Sequence, residues 1–71
     1  MNDKLLIAAQ KWFTELGVQT SPYPTYLMVN RTEIEQFGPI DEVLKELRGV
    51  LNSNRLYWGY KDDVYCHLQA F

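Results

Sequence analysis

Near the start of the chain, apolar residues recur at helical spacing. Leu5, Ala8, Ala9, Trp12 and Leu16 make one stripe, and Leu6 and Phe13 widen it. The spacing predicts a helix from about Asp3 to Leu16, capped by Asn2 or Asp3, with Lys11 and Glu15 four apart on its exposed side. Gly17 closes it as a residue free to turn left-handed. Trp12 is expected to anchor the core, with Phe13 at its edge. Gln19–Pro24 follows as a connector: each residue before a proline is pushed out of the helical region, so Ser-Pro-Tyr-Pro holds the chain extended. Pro22 and Pro24 lack the PxxP spacing of a proline-rich ligand, and the segment reads as a spacer. Thr25–Asn30, TYLMVN, is rich in β-branched and aromatic residues and is predicted as a strand.

The periodicity then returns to helix. In Thr32–Asn52, TEIEQFGPIDEVLKELRGVLN, Thr32 and Glu35 have the spacing of a capping box. That helix stops by Phe37, because Gly38 can take positive φ and Pro39 favours the first position of a new helix. From there Ile40, Val43, Leu44, Leu47, Val50 and Leu51 mark a single buried face. A short helix, a turn containing glycine and a longer amphipathic helix form a helix-turn-helix candidate.

Asn52-Ser53-Asn54 turns the chain into two alternating stretches, Arg55–Lys61 and Val64–Phe71, which read as a β-hairpin around Asp62-Asp63. A two-residue loop sets Tyr60 opposite Tyr65 and Trp58 opposite His67. A three-residue loop, Lys61–Asp63, sets Leu56, Trp58 and Tyr60 opposite Leu68, Cys66 and Val64. The second register is preferred, with Asp63 left-handed. It gathers the apolar residues on one side and leaves Tyr57, Lys61, Tyr65, His67 and Gln69 on the other, whereas the first leaves an aromatic platform exposed.

Taken in order, the elements read helix, strand, helix, helix, strand, strand, in a single α+β domain over residues 1–71. That order, with the TEIEQFGPIDEVLKEL stretch, resembles the winged helix-turn-helix domain. The resemblance implies a three-stranded antiparallel sheet, a Pro39–Asn52 helix that enters a DNA groove and a Lys61–Asp63 wing tip. On that reading Lys45, Arg48 and Asn52 contact bases or phosphates, Arg55 and Lys61 support them from the hairpin, and Arg31 reaches phosphate from a neighbouring element.

Charge changes this picture. Seven basic and nine acidic residues give a net charge of −2, which does not suit a general binder of polyanions. Asp41, Glu42 and Glu46 lie on the groove-entering helix and Asp62-Asp63 on the wing, where each carboxylate repels phosphate. The bland alternative is a solvated helix face carrying an Asp41–Lys45 pair. Two functional classes therefore stand: a DNA-binding regulator, possible as a homodimer, and a protein-interaction module. The module would use the acidic face of the long helix (Glu42, Lys45, Gly49) or the aromatic hairpin face (Tyr57, Tyr65).

Catalysis finds little footing. His67 is the only histidine, and the neighbouring Cys66 points to the opposite side of its strand, so the two cannot form a dyad. No phosphate-binding loop, metal-ligand cluster or cofactor motif is visible, and no catalytic or metal residue is assigned. A single cysteine and the absence of a long apolar run lead to the expectation of a cytoplasmic protein without membrane association. In a chain of 71 residues every apolar cluster is needed for folding.

Overall fold

In the computed structural model, which describes residues 3–71, the Asp3 carboxylate accepts the Leu5 N–H at 2.8 Å and caps α1 (Lys4–Glu15). Gly17, at φ 82°, ends it. The chain continues through β1 (Thr20–Pro22), β2 (Leu27–Asn30), α2 (Arg31–Ile34), α3 (Ile40–Leu51), β3 (Leu56–Lys61) and β4 (Tyr65–Ala70). The strands form one antiparallel sheet in the order β1-β2-β4-β3. Period-two alternation sends Leu27, Val29, Leu56, Cys66 and Leu68 to the side that the helices cover. Leu6, Ala9 and Phe13 of α1, Ile34 of α2, and Ile40, Val43, Leu44 and Leu47 of α3 complete the core.

Four strands stand where three were expected. The added one lies inside the segment that reads as a spacer, with Thr20, Ser21 and Pro22 paired to Val29, Met28 and Leu27. The extended bias that proline imposes is also that of a strand, and Pro22 is tolerated because β1 is at the sheet's edge. Tyr23 N–H donates to the Tyr26 carbonyl at 3.0 Å and closes a tight turn over Pro24-Thr25, so β2 begins at Leu27 rather than Thr25.

The cap of α2 is Asn30, not Thr32. Its Oδ1 accepts from Glu33 N–H at 3.0 Å, while the Glu33 carboxylate accepts from Gln19 N–H at 2.6 Å. Asn30 N–H in turn donates to the Gln19 carbonyl at 3.1 Å. The Asn30–Glu33 pair thus ties the entrance of α2 to the segment before β1, leaving Thr32 exposed. The corner before α3 follows the sequence expectation at Gly38, which takes φ 138°, but the helix begins one residue later than expected: Pro39 is its N-cap and Ile40 comes first.

The two aromatic residues of α1 exchange their expected roles. Phe13 is fully buried, and Trp12 is half-buried with its ring edge-on to Phe13 at 5.1 Å. Leu6, Ala9 and Phe13 form the centre of the stripe, a place where an indole N–H would lack a partner. Trp58, also half-buried, solves that problem by donating Nε1–H to the Ile40 carbonyl at 3.1 Å. Val50, near the end of α3, is 58% exposed. The expected Lys11–Glu15 and Asp41–Lys45 pairs are not formed; among the described residues the ion pairs are Arg31–Glu35 and Arg55–Asp3. Among those residues, no helix is long and apolar enough to cross a membrane.

Candidate functional site

The hairpin adopts neither expected register. Leu56 pairs with Ala70, Tyr57 with Gln69 and Trp58 with Leu68; an irregularity at Gly59 then shifts the ladder, so that Tyr60 meets His67 and Lys61 meets Cys66. An extra residue in one strand re-aims the side chains beyond it. Trp58 faces the core, and strict alternation would turn Tyr60 inward as well. The bulge sends Tyr60 to the outer face instead, beside His67. Gly59 leaves space there that the Gln69 amide occupies, since a Cβ on Gly59 would collide with it. The turn is held by Asp62: its Oδ1 accepts from Val64 N–H at 2.8 Å and Tyr65 N–H at 2.7 Å, and its own N–H donates to the Tyr65 carbonyl at 2.9 Å. Asp63 does not turn left-handed, because Asn52 is the one non-glycine with positive φ among the described residues.

The outer face of the sheet carries a ladder of rings, one from each strand or its adjoining turn. Tyr23 stacks on Tyr26 with centroids 4.8 Å apart and planes at 9°; Tyr26 stacks on His67 at 4.2 Å and 14°. Tyr60 closes the row against His67 at 4.9 Å, tilted by 46°. The sequence Tyr23, Tyr26, His67, Tyr60 follows the spatial order β1, β2, β4, β3. Rings stacked between neighbouring strands direct their faces toward one another and leave their edges to the open side. Tyr57 and Tyr65 flank the row and are exposed, with Tyr57 tilted against Phe71 at 5.8 Å. Among the described residues the helices pack on the opposite side of the sheet, and the aromatic face left open is not the one set aside on sequence grounds, because Trp58 faces the core while Tyr23 and Tyr26 join the row.

Its electrostatics are set at the hairpin tip. The Tyr60 hydroxyl donates to the Asp62 carboxylate at 3.1 Å, and that bond, with the nearby negative charge, raises the phenol above its ordinary range. Asp62 is held below the usual carboxylate range, first by the Tyr65 and then by the Val64 backbone N–H. Asp62 and Asp63 are both exposed at this end.

The residues proposed for DNA contact separate into two groups. Arg48 donates through Nε and a terminal nitrogen to the Leu56 carbonyl, at 2.8 and 2.6 Å, and is half-buried. Arg55 donates to the Phe71 carbonyl and pairs with Asp3 at 3.3 Å. Arg31 donates to the Asp62 carbonyl at 3.0 Å and pairs with Glu35 at 3.4 Å. Every arginine is thus engaged inside the fold. Asn52 caps α3 in the left-handed conformation, and Lys45 and Lys61 are the two candidate cations without such a partner among the described residues. On α3, Glu42, Lys45 and Gly49 are exposed, and a shallow groove of about 410 Å³ runs between Phe37 and Glu42, Lys45 and Glu46.

Cys66 lies on the core side, fully buried, with its thiol donating to the Val29 carbonyl at 3.7 Å. Burial pushes the thiol up to about 12. Its neighbour His67 faces the other side, among the tyrosines. Among the described residues, no group of three or more His, Cys, Asp or Glu side chains comes together in a way that could hold a metal. Tyr23, Tyr26, Tyr60 and His67 were not assigned to a site from sequence. The available signals were a glycine inside an alternating strand, which marks a bulge, and an aromatic at the rim of every extended stretch. Comparison of the chain with protein families, with characterised proteins and with solved structures gives no match.

Proposed function

We propose that this chain is a non-enzymatic protein-binding module whose contact surface is the outer face of the sheet. Tyr23, Tyr26, His67 and Tyr60 form its centre, and Tyr57 and Tyr65 its flanks. The observation that carries the reading is the ring ladder, spanning all four strands on the side away from the helices among the described residues. Tyrosine offers large, rigid contact area at low entropic cost and keeps a hydrogen-bonding tip, which is why it is frequent in protein-binding surfaces. A nucleobase needs a free ring face to stack on, and here most faces are already used between neighbouring rungs. Nucleic acid also needs unengaged cations, and Arg31, Arg48 and Arg55 are committed to carbonyls of the fold.

The test is selection from a displayed random-peptide library on the wild-type chain, followed by binding of the selected peptides to a Tyr26→Ser, Tyr60→Ser variant. That variant is checked for folding by circular dichroism. The expected result is enrichment on the wild type and loss of binding on the variant. Peptides that bind both equally would overturn the reading. The winged-helix, DNA-binding reading keeps one supporting observation: Lys45 and Lys61 are exposed without an ion pair among the described residues. Anisotropy with random duplex DNA at low salt tests it, and an absence of binding at about 100 μM would remove it.

A further inference from the structure

Resting on the ladder as contact face, we propose that the partner is an extended, arginine-bearing segment of another protein, with a guanidinium lodged between the open side of Tyr60 and the carboxylates of Asp62 and Asp63. Tyr60 is the last rung of the ladder. One side of its ring meets His67, the other has no aromatic neighbour among the described residues, and the residue is 50% exposed. The Asp62 carboxylate lies 3.1 Å from its hydroxyl. A ring face beside a carboxylate suits a planar, weakly hydrated cation that stacks and donates in pairs, which describes arginine better than lysine.

Charge on the rest of the face agrees. Alternation puts Ser21, Met28, Tyr65 and Gln69 on the outer side, and the one arginine it adds there, Arg55, is matched by Asp3. Lys61 pairs with Cys66 and so shares the opposite side of the strands, and Arg31 is matched by Glu35. The face is therefore neutral along its length and negative at one end.

A second copy of this chain is a poorer occupant. Two copies meeting face to face would add no charge complementary to their acidic tips.

Three synthetic peptides of equal length and apolar content, carrying arginine, serine or glutamate at the same positions, test the proposal by amide chemical-shift mapping and calorimetry. The arginine peptide is expected to shift Tyr60, Asp62 and His67 and to bind about fivefold more tightly than the serine peptide. The gap should close in high salt. It should close equally in the Asp62→Asn, Asp63→Asn variant, because the first of these substitutions removes the charge yet keeps an Oδ1 acceptor to hold the turn. Equal binding of the arginine and serine peptides on the ladder, or tighter binding of the glutamate peptide, would overturn the arginine proposal while leaving the ladder reading in place. Shifts confined to α3, or none with any peptide, would overturn both. Self-association of the peptide-free chain through the ladder would replace the proposed partner with a second copy.

Discussion

The indole of Trp58 donates to the carbonyl of Ile40 at 3.1 Å, joining the third strand to the first turn of α3. Ile40 follows the Gly38-Pro39 corner, so this bond fixes the corner and hairpin relative to each other. Trp58→Phe keeps most of the ring contact with the core and deletes the donor. The expected loss is about 1 kcal/mol in a denaturant melt. An unchanged midpoint would show that the bond contributes nothing.

Leu47 is fully buried at the centre of α3. Leu47→Ala should cost about 2–5 kcal/mol, most of the stability of so small a domain. Urea unfolding of a variant rescued with osmolyte measures it.

The cap of α2 separates two substitutions that look alike in sequence. Asn30→Ala removes the acceptor for Glu33 N–H and should lose roughly 1 kcal/mol, whereas Thr32→Ala should stay within about 0.5 kcal/mol of wild type. Thermal melts of the pair decide between the caps.

Gly49 lies within α3, exposed, with nothing among the described residues near the position a Cβ would take. Gly49→Ala is expected to stabilise by about 0.5–1 kcal/mol, since alanine loses less backbone entropy in a helix. If a partner docks on α3 rather than on the sheet, the same substitution should weaken that binding, which a peptide titration would reveal.

Acid should loosen the hairpin tip before the core. The folded-state pKa of Asp62 is depressed, so its contribution is present above the ordinary carboxylate value of 3.8 and is lost as pH falls through the lower, folded value. Amide exchange at Val64 and Tyr65 should therefore rise on that acid side relative to the helices, and Asp62→Asn should abolish this pH dependence. Cys66 behaves in the opposite sense. With its thiol raised to about 12, it should resist alkylation at pH 8 until the protein unfolds.

Much of the helical layer was legible in sequence. The 3- and 4-residue spacing from Ile40 to Leu47 and the Gly38-Pro39 corner are local signals, and the chain forms both where they predict. The sheet was harder to read, because its errors came from long-range pairing. Ser-Pro-Tyr-Pro looks the same in a spacer as in an edge strand until a neighbour pairs with it. Thr32 and Asn30 both precede a glutamate by three residues, and the choice between them depends on Gln19, which supplies the competing donor. The aromatic face depended on one residue: without the bulge at Gly59, Tyr60 follows Trp58 inward and the ladder has three rungs.

Arg48 has a further consequence, which concerns other chains. The Phe71 N–H bonds to the Arg55 carbonyl, so by antiparallel alternation the next residue, Leu56, turns its carbonyl away from β4 toward the open margin of the sheet. Arg48 occupies that carbonyl, the Gly59 bulge interrupts the same margin, and Pro22 lacks an N–H on the opposite one. A sheet with both borders obstructed is a poor template for the growth of further strands. On the proposed function, the exposed tyrosines can thus stay adhesive toward a chosen segment while the protein resists stacking into fibres, and Arg48→Ala should expose that hazard as slow, seedable aggregation at high concentration.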